Sequence, residues 1–592
     1  MKKIILITSC LCAFLFAANP VLTQGGERIF SKNTADNHKK ELLVRITVSE
    51  REKIQQLINR HIPIQERHRD YIIVRVQADQ IPVIESLALR YEIILDDASR
   101  EIELLAETVD IAAFHNYQDM TDELAQVAID HPDITYLTSY GQSVQGREMW
   151  AIKITDNPEA EEDEPEVRIV GAHHGDELMS VEIPLEMVHY LTDNYGSDPY
   201  VTSLVNEREI WIVPLVNPDG REAYSRYNAN GYDLNRNYGY MWESGWNGGT
   251  GPFSEPETKA IRELSVENNF VLSLSFHTSG DVINYVWNYS PNPTPDESLI
   301  KYLSEGYGSY NTYWVTNGWD WYETHGDTND FSFGCRSDMD WTIEVANSNF
   351  TAVWNANRDA ILYMIDMADM GVRGVVTDAR TGNPLEATVE VVGIQWPYYT
   401  DPALGDYHRP LLPGTYDLKF SANGYMPAIV RQVIVGEGSP TVVNVPLRKG
   451  KTSGAYNVVS CTIADPYNSH NNVTQPVWSL GAPDTKDAAL GVAGNIVLDM
   501  GSKALILDKS GDDLKVHEGQ PANNEGYSVY GSNGYSGPWT AIGNGNGTAS
   551  FDLAGTGLST VRYVKIVDDG DGNPNESRPG FDLNAVENLH YR

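Results

Sequence analysis

The sequence predicts a large α/β domain, preceded by a small α/β segment and followed by two all-β sandwiches. Three changes of texture along the 592 residues predict it. From about Phe114 to Met370, near-continuous apolar runs alternate with helical stretches such as LMSVEIPLEMVHYL (178–191). The runs VRIVGAHH (167–174), EIWIVPLV (209–216) and FVLSLSFH (270–277) have the character of strands buried on both faces. Their alternation with helices implies a largely parallel or mixed sheet, whose sites gather at the carboxyl ends of the strands. Ser254-Glu255-Pro256-Glu257 fits a capping box opening one of the helices, with proline in its first turn. Before this domain, LLVRITV, SEREKIQQLIN, YIIVRVQ, IPVIESLALR and YEIILDD read as strand, helix, strand, helix, strand. After Gly371, the runs GVRGVVTD, ATVEVVG, GTYDLKFSA and AIVRQVIV are short strands between Gly, Pro and Asn turns, a sandwich. Residues 455–592 are again all-β in texture, rich in Gly, Asn and Asp.

Met1-Lys2-Lys3 and the apolar Ile4 to Ala18 predict a signal peptide over residues 1–18 and hence export. No later segment approaches about 18 uninterrupted apolar residues, so no transmembrane span is expected. Cys10 and Cys12 fall in the leader, and Cys335 and Cys461, in different domains, are expected as two separate buried thiols, with one interdomain bridge as the alternative. That count excludes a disulfide scaffold and a thiolate zinc site. A net charge of −39 argues against nucleic acid as a partner, because such binding needs a basic surface.

The chemistry lies in the central domain. His174-Gly-Asp-Glu177 sits at a predicted strand-to-helix turn, His277 ends a strand, and Glu344 falls late in DWTIEV. Two imidazoles and one carboxylate are what a zinc ion needs when its fourth position stays open for water. Such an ion acidifies the water and polarises a carbonyl, and Glu344 is a further carboxylate able to move protons. An isolated His277 would read as a core imidazole; beside His174 and Glu177 it reads as the third ligand. Asn235-Arg236 offers a guanidinium fork and an amide for a substrate carboxylate, with a structural salt bridge as the alternative. Arg226 can place charge beside an oxyanion, and Tyr322 can hydrogen-bond a substrate.

The motifs GAHHGDE (171–177), NPDG (217–220), SRYNANGYDLNRNY (225–238), FSEPET (253–258), SFH (275–277) and WTIEV (341–345) resemble those of the zinc metallocarboxypeptidases of the carboxypeptidase A/B superfamily. The likeness is closest to their N/E, or carboxypeptidase D-like, branch. Residues 371–425 resemble the transthyretin-like domain that follows the catalytic domain there. The resemblance implies a mixed eight-stranded-type sheet flanked by helices and one Zn2+ per catalytic domain. It implies His174, Glu177 and His277 as ligands, Glu344 as general base and Arg226 as the group polarising the scissile carbonyl. Asn235 and Arg236 would hold the C-terminal carboxylate under Tyr322, and Asp233 would orient a zinc histidine. The implied reaction is hydrolysis of the last peptide bond of a peptide or protein with a free C-terminus. The two positions that can carry an acidic specificity residue are Asn288 and Asn329 here, which predicts no strict preference for lysine or arginine.

The resulting organisation is a segment at 36–105, either a propeptide or a permanent accessory domain, a catalytic domain at 110–370, and sandwiches at 371–449 and 455–592. Asp508, Asp512, Asp513, Glu518, Asp568 to Asp571 and Asp582 supply oxygen ligands of the kind Ca2+ takes. A calcium-stabilised module contacting glycans or the cell surface is the functional expectation there, and ordinary polar turns are the alternative. The competing functions are a cell-wall peptide hydrolase and a binding protein with a vestigial enzyme domain, the latter disfavoured because no ligand or base position is missing.

Overall fold

The computed structural model describes residues 41–60, 62–98, 114–346, 349–394, 396–450, 453–463, 474–519, 525–570 and 580–590. The leader, the polar stretch after it, residues 99–105 and Asp571 lie outside the described residues.

The N-terminal segment is a four-stranded antiparallel sheet ordered β2-β3-β1-β4. Its strands are β1 (Glu41–Thr47), β2 (Ile64–Arg67), β3 (Tyr71–Gln77) and β4 (Arg90–Leu95), with helices Arg51–Ile58 and Ile81–Ser86. Alternate residues of β3 are buried, as expected of a sheet with one face on a core. β2 is absent from the sequence reading: IQER follows Pro63 and is too polar and short to show a period, and pairing with β3 recruits it.

The central domain holds an eight-stranded mixed sheet ordered β11-β10-β12-β9-β7-β8-β6-β5. These are β5 (Thr135–Gln142), β6 (Glu148–Ile154), β7 (Glu166–Gly171), β8 (Glu209–Val213), β9 (Phe270–Thr278), β10 (Val282–Tyr285), β11 (Trp314–Asn317) and β12 (Met339–Val345). β8, β7, β9 and β12 run parallel and are buried at every position. Helices Met179–Asn194, Glu297–Gly308 and Phe350–Met367 form one packed group against them, and Pro256–Glu267 with Thr328–Arg336 another. The predicted capping box does not form. Glu255 is the N-cap and makes no side-chain cap, while Ser254 Oγ donates to Glu255 Oε1 at 2.8 Å and accepts from Asn237. Pro256 does open the helix.

Two sheets form the sandwich from Val372 to Leu447. One contains β13 (Val372–Asp378) and β16 (Asp406–Arg409), and the other runs β15-β14-β17-β18 over β14 (Ala387–Val391), β15 (Pro397–Tyr399), β17 (Gly414–Ala422) and β18 (Ala428–Val435). From Asn457 on, sheets of five, four and two strands follow. Cys335 and Cys461 are free and buried, but they are not separate. The Cys461 thiol lies beside that of Cys335, and burial first, then this neighbour, raise the Cys335 thiol. Among the described residues, no helix is long and apolar enough to cross a membrane.

Candidate active site

His174 follows β7 on a turn whose backbone passes very close to its neighbour. A Cβ at Gly175 would lie 2.0 Å from the Gly220 carbonyl carbon, so only glycine fits directly after His174. That turn brings Glu177 back onto His174, with Oε1 2.5 Å from Nδ1. His277 and Glu344 are paired in register across parallel strands β9 and β12, so they project from the same sheet face.

The donor atoms converge. His277 Nδ1 is 3.0 Å from Glu177 Oε2 and 3.2 Å from His174 Nδ1, and all three residues are buried. A tetrahedral ion with bonds of about 2.0–2.1 Å sets its ligands about 3.3 Å apart, so these spacings fit zinc. His174 Nε2 lies 3.1 Å from Asp233 Oδ1, which fixes the proton on that nitrogen and leaves Nδ1 as the donor. Thr278 N–H donates to Glu177 Oε2 at 3.0 Å, orienting the carboxylate.

Arg226 is anchored on Asp233, its Nε and Nη2 each 3.0 Å from Oδ2, and its Nη1 reaches within 3.2 Å of His174 Nδ1. Burial would lower the Arg226 pKa, but Asp233 and Glu177 hold it above its ordinary value. Burial would raise Glu177, yet His174 and His277 keep it well below the carboxylate range. Burial would also lower His174, and Arg226 adds to that, but Glu177 and Asp233 leave it raised. Glu344 is pushed well above its usual range by burial and by the charge of Glu177. A bound cation acts in the opposite sense and favours its carboxylate.

Asn235 Nδ2 lies 3.4 Å from His277 Nε2, and its Oδ1 accepts from Thr328 N–H at 3.0 Å. Arg236 Nη1 donates to Asn235 O at 2.6 Å, and its guanidinium also meets the Tyr322 hydroxyl. Arg236, Tyr322, Asn288, Asn329 and Glu344 line one cleft with the three metal-type ligands, so every site residue read from the sequence lies in it except Asp233, which stands behind His174. Asn284 and Gln65 also line the cleft and were missed. Asn284 has a sequence signal only in hindsight, at the end of a short strand, and Gln65 has none. Asn284 Oδ1, Asn288 Oδ1 and Asn329 Nδ2 are buried without a hydrogen-bond partner. Apart from Glu177 and Glu344, the acid in this lining is Asp327, whose oxygens accept from Asn288 Nδ2 at 2.8 Å and Thr324 Oγ1 at 2.6 Å.

The N-terminal segment packs over the cleft, with Gln65 in its lining. Trp321 and Tyr322 share its apolar core with Ile54, Ile64 and Val74. Trp321 Nε1 donates to Arg67 O at 3.2 Å, Gln55 Nε2 to Glu323 Oε2 at 2.6 Å, and Arg51 stacks on Trp319 at 4.0 Å. The cleft beneath leaves about 20 Å³ for water-sized centres, and it adjoins a larger space of about 620 Å³ with which it shares Gln65, Arg226, Arg236 and Tyr322.

In the last region, Asp508 and Asp513 approach Asp552, and Asp512 is not part of that group. Both oxygens of Asp513 already accept backbone N–H groups, from Lys509 at 2.9 Å and Leu553 at 2.8 Å. Asp568 likewise accepts from Ala493 at 2.6 Å and Phe581 at 2.8 Å, so two of the predicted calcium ligands tie neighbouring segments together through backbone amides.

Residues 120–362 match the zinc carboxypeptidase family, and residues 371–448 match the carboxypeptidase regulatory-like domain. The catalytic chain of mouse carboxypeptidase N is 32% identical over 397 residues, covering 57% of this chain and 86% of its own. Mouse carboxypeptidase M is 30% identical over 419 residues, covering 62% of this chain and 93% of its own. Human carboxypeptidase D is 32% identical over 379 residues, and this chain spans only 27% of its length. Likeness across nearly the full length of two relatives, on the strands and turns that gather the donor atoms, makes the chain a member of the zinc carboxypeptidase family, in the branch of carboxypeptidases N, D and M.

Proposed function

We propose that the protein is a secreted zinc metallocarboxypeptidase that removes C-terminal residues with neutral side chains and is held latent by its own N-terminal segment. The observation that carries the reading is the buried convergence of His174, Glu177 and His277 beside Glu344 and Arg236 in one cleft. Zinc bound by those three side chains supplies an acidified water and a polarised carbonyl. The chain's own groups do the rest. Glu344 takes the proton of the attacking water and delivers it to the leaving amine nitrogen. Arg226, preorganised on Asp233, hydrogen-bonds the carbonyl oxygen as charge develops on it. Arg236 and Asn235 hold the terminal carboxylate, Tyr322 covers it, and the need for that carboxylate makes the reaction exopeptidic.

Neutral specificity is supported by the three amide groups with unpartnered atoms and by the engagement of Asp327 elsewhere. An unmet buried polar atom costs about 1–3 kcal/mol, which a side-chain amide or hydroxyl of the substrate can offset. Latency is supported by the packing of the segment on Trp321 and Tyr322, with Gln65 in the cleft lining and about 20 Å³ left beside the ligands. Export is supported by the leader at residues 1–18. Calcium forms no part of the proposal.

Peptides ending in Leu, Phe, Gln, Arg, Lys or Glu, incubated with intact protein and with protein cleaved between residues 98 and 114, test all three parts. The expected result is chelator-sensitive release of single residues, at least about tenfold faster after cleavage, with Gln, Leu and Phe ahead of Arg, Lys and Glu. Release by neither form refutes the activity. Equal rates refute latency, and arginine in first place refutes the specificity.

A further inference from the structure

A second histidine–carboxylate cluster lies where the α/β domain meets the first sandwich. β16 presents Asp406 and His408 to the loop between β6 and β7, which carries Asp163. His408 Nε2 lies 3.3 Å from Asp406 Oδ2 and 3.7 Å from Asp163 Oδ1. On the other side of the ring, Nδ1 faces Asp369 Oδ1 at 3.7 Å. His408 is only 5% exposed, yet neither ring nitrogen has an aligned hydrogen-bond partner, and Asp406 Oδ1 has none either.

We propose that His408, Asp406 and Asp163 form a second divalent-metal site, of the zinc class, that clamps the α/β domain to the sandwich. The spacings of 3.3 and 3.7 Å are close to the edge of about 3.3 Å that a tetrahedral zinc imposes on its ligands. Asp369 stands behind Nδ1, the place of the carboxylate that orients a metal-bound imidazole. It is itself met by Arg373 Nη1 at 3.4 Å and Arg208 Nη1 at 3.9 Å. Asp163 and Asp406 have no such help: among the described residues their ion-pair partner is His408 alone. One imidazolium offsets one of these carboxylates, whereas a dication offsets both. The imidazole donor selects a zinc-like ion over Ca2+ or Mg2+, which take oxygen.

His115 shows what a charged histidine between carboxylates looks like in the same chain. Its Nδ1 lies 2.8 Å from Glu182 Oε2 and its Nε2 2.5 Å from Glu123 Oε2, both at hydrogen-bond distance. The contacts of His408 are longer and unaligned, as donor atoms around an ion are.

The test is metal stoichiometry of the full chain, loaded with Zn2+, dialysed and measured by elemental analysis. Two zinc ions per native chain are expected, one in His408→Gln, one in Asp163→Asn and one in His277→Ala. Asp163 guards against a folding artefact, because its side chain is 52% exposed. Both junction variants keep the peptidase rate of the native protein. Were the catalytic cleft itself not to bind zinc, the native chain would hold one ion, lost in Asp163→Asn and kept in His277→Ala. A single native ion that His277→Ala removes, or two ions retained in Asp163→Asn, overturns the junction site.

Discussion

The two histidine–carboxylate clusters use the same side-chain chemistry but are assembled differently. In the cleft, one glycine-tightened turn supplies His174 and Glu177, a buried strand supplies His277, and Asp233, Thr278 and Asn235 orient them. At the junction, the members come from two domains, one of them half exposed, and a single carboxylate stands behind the histidine. Preorganisation differs accordingly. The cleft spacings of 2.5–3.2 Å are set by covalent neighbours and strand register, while the junction spacings depend on how two domains dock. The cleft is therefore expected to hold its ion through dialysis against weak chelators, and the junction to release its ion first.

The largest effect expected is that of His277→Ala. Loss of a ligand removes the ion and the several kcal/mol of charge stabilisation it supplies, lowering kcat/KM about 10³-fold or more. Metal content and peptidase rate must fall together; activity without cleft zinc would break the comparison. Glu344→Gln comes next. Glu344 faces the ligands without being one of them, so zinc content stays native while kcat falls about 10²- to 10⁴-fold, the worth of a positioned proton carrier. A variant that lost zinc as well would instead make Glu344 a ligand.

A smaller effect sharpens the picture of the cleft floor. Asn329 is buried, its Oδ1 accepts from Thr342 Oγ1 at 2.7 Å, and its Nδ2 has no partner. Asn329→Asp keeps the first contact and replaces the idle amide by a carboxylate oxygen. The ratio of kcat/KM for C-terminal arginine over leucine should rise about 10- to 100-fold, roughly 1–3 kcal/mol for a partly desolvated pair. Asn288→Asp is the poorer choice, because it sets a second carboxylate against Asp327 at the 2.8 Å contact. An unchanged ratio would mean that the substrate side chain does not reach residue 329.

How much was legible follows the same division. His174 with Glu177 could be read because both lie on one turn, and His277 and Glu344 because each falls late in an apolar strand whose end is where α/β sheets place chemistry. Asn235, Arg236 and Arg226 lie in one continuous motif. The cover over the cleft was not legible: Gln65 and Arg67 sit on a polar four-residue strand, and nothing local says that it docks on Trp321. The contact of Cys335 with Cys461 was legible only as the alternative of an interdomain bridge, and the group of Asp163 with His408 was hidden for the same reason. Each joins domains whose separate folds the sequence predicts and whose docking it does not. Ser254 misled in the opposite way, since its hydroxyl is taken by Asn237 and Glu255 before it can cap a helix.

The smallest effect concerns His115, the charged counterpart of His408. Side-chain hydrogen bonding to Glu182, working against burial, lifts its pKa to about 9, with Glu182 and Glu123 charges adding to the rise. The folded-state value is thus above the unfolded value near 6.5. Stability from this pair of contacts is fully present below about pH 6.5 and is lost as pH rises through about 9. The site is half exposed, so solvent screening reduces its worth to about 1 kcal/mol. His115→Gln should therefore lower the melting temperature by one or two degrees at pH 6 and leave it unchanged near pH 10. The same titration on metal-stripped protein sharpens the contrast between the two histidines. If His408 behaves as His115 does, its Gln variant shows the same pH-dependent loss without metal, and the junction is an ion pair. If the loss of stability in His408→Gln appears only when Zn2+ is present, the two histidines are built for different cations.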